Sequence, residues 1–198
     1  MGVEERMADR CNTIRLYSFQ TDVVYQVLKR DGVCYSKEEY VRKKYKESAK
    51  VFINAYGWFV KEAQHIVPKP EGAEYPYWAF TDLYNVDQSG EGHVLTLDVP
   101  IGEAILFDMF DWTKIMQMHY IGENESEEAT FSEELKNMGM NEFQIMTSNF
   151  YPEQKARIQE SWKRLFGHQQ AIEAGDNSGV HSVQAGLWCI KDEWIVKE

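Results

Sequence analysis

The chain has 198 residues, 43% hydrophobic and 14% aromatic, with a formal net charge of −11. This composition excludes a disordered chain, and the length suits one domain with one sizeable core, because a chain of this size buries roughly 70% of its extended surface. A uniformly acidic surface repels phosphate and anionic lipid, which argues against a general affinity for nucleic acid or membrane.

The first ten residues, MGVEERMADR, hold Glu4, Glu5 and Asp9 and no apolar run, so they read as neither a signal nor a transit peptide. Residues 1–12 are expected to form a flexible extension. No stretch approaches the ~18 consecutive apolar residues of a membrane span. Cys11, Cys34 and Cys189 are odd in number and widely spaced, as expected for reduced thiols in a cytoplasmic protein.

Residues 14–20 alternate as a strand, with Ile14, Leu16, Ser18 and Gln20 on one face. Thr21 then caps a helix to about Arg30, with Val23, Val24, Val27 and Leu28 as its buried stripe and Gly32 as its stop. Val33-Cys34-Tyr35 fits a short strand. Ser36 and Glu39 form a capping box for a helix running to about Gln64, where Pro68, Pro70 and Gly72 follow. Gly57 inside it marks a kink or a close packing contact.

Residues 76–81, 93–99 and 104–107 read as strands; Ser89-Gly90-Glu91-Gly92 is a hairpin turn and Pro100-Ile101-Gly102 a second turn. Asp111 caps a helix to about Met118, residues 122–128 form an acidic loop, and Thr130 to Glu133 is a capping box. Pro152 opens a helix ending near Phe166. A strand over 181–190 closes the series, with Trp194-Ile195-Val196 as one more short strand. The succession predicts an α+β fold, with a mixed, mostly antiparallel sheet flanked by helices.

The five histidines pair with no Cys, His or acid at a recurrent zinc spacing, so no metal site is expected. No nucleophile elbow and no phosphate loop is present. Asp108 and Asp111 form a D-x-x-D pair that could hold magnesium or act as acid and base; the simpler reading has Asp111 capping a helix and Asp108 facing water. Arg42, Lys43, Lys44, Lys46 and Lys50 form a basic cluster, interleaved with acids as on a solvated helix face. Strand-embedded Ser18, Gln20 and Gln184 must be hydrogen-bonded or face a cleft, since each would cost a few kcal/mol if buried unpaired. Aromatic residues near the strands, among them Tyr56 and Trp78, could wall such a cleft.

The segments LYSFQ, AYGWFV, YPYWAF, VLTLDVP…ILFD and VQAGLWCIKDEWI together resemble an uncharacterised bacterial and phage domain family of unknown function, across nearly the whole chain. The motif order is also similar to that of ADP-ribosyltransferase-like folds, especially toxins that modify DNA bases. That resemblance implies a cleft for NAD as substrate. Ser18 and Gln20 would lie on its first strand, Trp78 on its second and Gln184 on its last, with Tyr56 as a wall. Gly186 stands where the catalytic glutamate of that pattern belongs. The expected function is NAD or nucleotide binding, with ADP-ribosyl transfer or NAD cleavage as the chemistry. The alternative is a non-catalytic interaction module, such as a phage or bacterial inhibitor, whose partner is a protein.

Overall fold

The computed structural model describes residues 12–39, 42 and 49–197. The proposed N-terminal extension, Lys43, Lys44 and Lys46 of the basic cluster, and part of the helix expected from Ser36 lie outside them. The elements in chain order are β1 (Thr13–Gln20), α1 (Asp22–Asp31), β2 (Val33–Tyr35), α2 (Ala49–Ala63), β3 (Tyr77–Phe80), β4 (His93–Pro100) and β5 (Ala104–Asp108). Then come α3 (Met109–Met116), α4 (Glu125–Asn137), α5 (Glu142–Thr147), α6 (Pro152–Ser161), a 3-10 segment (Trp162–His168), α7 (Gln169–Glu173), β6 (Val183–Leu187) and β7 (Cys189–Lys191).

The fold is α+β, as expected. Its main sheet has the order β4-β1-β3-β6-β5, every pair antiparallel, and β2 pairs with β7 in a separate ladder. The hairpin expected at Ser89–Gly92 is not formed: β1 lies between β3 and β4. More telling, β4 and β5 are joined only by Ile101–Glu103, yet they form opposite edges. Five flat strands would separate those edges by ~19 Å at ~4.8 Å per strand. The link from Pro100 to Ala104 reaches at most ~14 Å. The sheet therefore curls.

Both faces of the sheet are covered at β5 and β6, all of whose residues are buried. Alternation sends Ile105 and Phe107 toward the core built with α2 to α6, and Ala104 and Leu106 toward the core built with α1, the β2–β7 ladder and α7. The open edge of β5 is closed by one side chain. Gln169 accepts from the Leu106 N–H (2.5 Å) and donates to the Ala104 carbonyl (3.1 Å), standing in for a sixth strand.

Several local expectations hold. β1 buries Leu16, Ser18 and Gln20, and Gly32 ends α1 in the left-handed region at φ 76°. Others are corrected. Val23 is exposed, leaving Val24 and Leu28 as the buried stripe of α1. Among the described residues a Cβ at Gly57 would meet no atom within 4 Å, so no close contact with them explains that glycine. Residues expected as an acidic loop include the first turn of α4, where Asn124 caps by accepting from the Glu127 N–H and the acids complement the helix dipole. Thr130 is therefore mid-helix, its hydroxyl bonded to the Ser126 carbonyl. The last long strand breaks at Trp188, and β7 leaves the main sheet to pair with β2. Asp192–Trp194 is a 3-10 turn, and only Ile195 adds a strand-like bridge, to Leu97. Among the described residues no helix is long and apolar enough to cross a membrane.

Candidate functional site

The register shows which strand residues share a face. Phe80, Gln184 and Phe107 lie opposite one another, as do Trp78, Gly186 and Ile105. These point toward the aromatic core of α2 and α3. Tyr17 pairs with Phe80, which turns Ser18 and Gln20 to the other face. The five residues expected to form one cleft are thus split: Trp78, Gln184 and Tyr56 on one side of the sheet, Ser18 and Gln20 on the other.

Ser18 and Gln20 are joined by one hydrogen bond. The Gln20 amide donates to the Ser18 hydroxyl (2.8 Å), which donates to the Trp78 carbonyl (2.7 Å). Across the sheet, Tyr56 is buried and accepts from the Trp78 indole N–H (2.9 Å) within a set of rings that includes Phe59 and Trp112. There Gln184 is buried with its Oε1 unpaired, an acceptor with no donor among the described residues. The glycine at position 186 has a packing role. A Cβ at Gly186 would sit 2.9 Å from Cζ of fully buried Phe59. Glycine admits that ring.

The most organised polar group lies where β5 hands over to α3. Asp108, not Asp111, is the helix cap, and it is buried rather than facing water. Its carboxylate accepts from the backbone N–H groups of Phe110 (3.0 Å), His181 (3.0 Å) and Ser182 (3.4 Å), and from His181 Nδ1 (2.8 Å). Burial alone would raise the carboxyl pKa, but these donors outweigh it and hold the group below its ordinary value. Asp111 is shifted the other way, mainly by burial.

The consequence falls on His181. Its side chain is 73% exposed while that of Asp108 is 5% exposed. In the neutral imidazole, donation of Nδ1–H to the fixed carboxylate leaves the Nε2 lone pair facing solvent. Phe110, itself half exposed, lies against the ring at 4.9 Å. The turn Leu83–Asn85 abuts the same corner through the bond from Asn85 Nδ2 to Ser182 Oγ (2.7 Å) and exposes Leu83 and Tyr84. A buried acid, an oriented base and exposed apolar side chains are thus assembled from three separate chain segments. In sequence the only trace was the Asp108–Asp111 pair; His181 follows 73 residues later, without a local motif. Among the described residues no group of three or more His, Cys, Asp or Glu could hold a metal ion.

Comparison with curated proteins and with solved structures returns no match. One family model matches residues 15–196, nearly the whole chain, and so the chain belongs to the family described as Domain of unknown function (DUF3841).

Proposed function

We propose that this domain binds a nucleotide, with NAD as the substrate that the motif order points to, and that His181 is its general base. The observation that carries the reading is the Asp108–His181 pair: a buried carboxylate fixing the tautomer of an exposed imidazole. In NAD cleavage, His181 Nε2 would take a proton from water as the water oxygen bonds to the ribose carbon. The ribose–nicotinamide bond breaks with its electron pair, and nicotinamide leaves neutral. The products are ADP-ribose, nicotinamide and the proton held by His181. In ADP-ribosyl transfer an acceptor hydroxyl or amine replaces the water. A base at this corner stands in for the carboxylate that Phe59 keeps from position 186. Phe110 offers a face on which a planar ring can stack. Gln184, with its unpaired acceptor, offers a place for a ligand donor. A cytoplasmic setting suits the free, buried thiols Cys34 and Cys189.

Thermal-shift titration with NAD, ADP-ribose and ATP, followed by chromatography for released nicotinamide, tests this reading. A ligand of the folded state stabilises it by ~2.7 kcal/mol at a hundredfold excess over its dissociation constant. NAD is expected to raise the melting temperature, and His181→Ala to cut nicotinamide release about 10²- to 10⁴-fold with the fold intact. Gln184→Ala is expected to weaken binding about tenfold. No shift with any nucleotide would discard the reading and favour the second one, an interaction module without chemistry. That alternative draws on the exposed Leu83, Tyr84 and Phe110 around His181.

A further inference from the structure

The far edge of the sheet, away from β5, is only half closed. Ile195 bridges Leu97, and the Val196 N–H donates to the Thr96 carbonyl (2.9 Å). Because Thr96 turns its polar backbone outward, the two-residue alternation turns that of Val94 outward as well. Among the described residues nothing pairs with Val94 on that side.

An open groove of about 520 Å³ runs along this unpaired stretch. Arg15, Tyr17 and Thr96 line it from one face of the sheet, Tyr25 and His93 from the other, and Ile195 and Val196 close one end. A groove reached from both faces of an edge strand has the shape needed for an added strand, whose side chains alternate between the two sides. Its lining holds one fixed charge, Arg15, and two carboxylates outside the lining flank it, each paired with a lining residue. Arg15 is neutralised by Asp98 (2.5 Å), while Asp22, 73% exposed, contacts His93 at 2.6 Å. The net charge of −11 makes the chain as a whole acidic.

We propose that the β4 edge docks an extended, basic segment of a partner protein as an additional strand beside Val94. The backbone of Val94 supplies the ladder bonds, Tyr17 and Tyr25 hold side chains on either side, and Asp22 attracts a Lys or Arg.

The test is fluorescence anisotropy of the full chain with three labelled peptides. One alternates Lys and Val, the second replaces Lys with Glu, and the third carries N-methyl groups on the amides that would face β4. The Lys peptide is expected to bind, with the Glu and N-methylated peptides roughly tenfold or more weaker. Val94→Pro removes the outward donor from an edge strand, where proline is tolerated, and is expected to weaken the Lys peptide by a similar factor. Asp22→Asn is expected to weaken it less. No binding of the Lys peptide overturns the proposal. Equal binding of the Lys and N-methylated peptides also overturns it, since general attraction to an acidic surface would then explain the affinity. Should Val94→Pro not fold, the N-methylated peptide against the wild-type chain decides alone.

Discussion

The two faces of the main sheet treat buried polar residues in opposite ways. On the face toward α1, the Gln20 amide donates to the Ser18 hydroxyl, which donates to the Trp78 carbonyl, so the Ser18 hydroxyl and that amide donor are already engaged. On the aromatic face, Gln184 keeps an acceptor without a donor among the described residues, beside residues that spend their polar groups on one another. A polar residue in a strand therefore marks a candidate site only when its bonds remain open. The first pair is structural glue; the second residue is a candidate contact.

The largest effect expected from breaking this contrast lies in the ring that fills the aromatic face. Phe59 is fully buried and touches the rings of Trp78, Phe107 and Trp112. Phe59→Ala is expected to cost ~3–5 kcal/mol in urea unfolding, the sum of lost transfer energy and the cavity left behind. Room for a side chain at Gly186 would appear only in that variant.

A smaller and sharper effect separates Ser18 from Gln184. Ser18→Ala strips Gln20 of its acceptor and the Trp78 carbonyl of a donor, and is expected to destabilise by ~1–3 kcal/mol. Gln184→Leu removes an acceptor that is already unpaired, and is expected to leave stability unchanged or slightly raised. Chemical denaturation of both variants side by side checks the difference. Equal losses would mean that Gln184 is bonded as fully as Ser18.

The smallest effect lies away from the sheet and depends on pH. His119 Nδ1 sits 2.5 Å from Glu142, on a segment whose neighbours are held by side chains of other elements. The hydrogen bond and charge of Glu142 raise the imidazole pKa above its ordinary value, against partial desolvation and Lys114, with Glu128 adding to the rise. A group whose pKa is raised on folding contributes stability fully below its unfolded value, near 6.5, and loses it as pH climbs through the folded value. The side chain is 48% exposed, so solvent screening holds the gain within ~1 kcal/mol. Melting curves from pH 5.5 to 8 should show wild type losing this increment while His119→Gln stays flat in that window. The Trp162 indole, which donates to the His119 carbonyl, provides a local fluorescence readout.

Local pattern made much of the fold legible. Period-two alternation located β1 and placed Leu16, Ser18 and Gln20 on a buried face, while strand-forming runs set off by turn residues located β4 and β5. Gly32 and Pro152 marked helix ends because their backbone limits act within one turn. Such signals depend on residues a few positions apart.

Tertiary structure decided everything that depends on who meets whom. The three-residue link between β4 and β5 looked like a simple turn, yet it joins opposite edges because β1, β3 and β6 insert between them. The local pattern pointed to Asp111 as the helix cap, with Asp108 facing water; in the structure Asp108 is the cap and is buried. Asp108 prevailed because His181 and Ser182, far along the chain, brought three more donors to its carboxylate, two backbone N–H groups and the His181 imidazole. Whether Ser18, Gln20 or Gln184 was spent or open likewise turned on partners from other strands. Sequence fixes which groups need partners, since burial makes an unpaired polar group costly; only the packed chain settles which partners arrive.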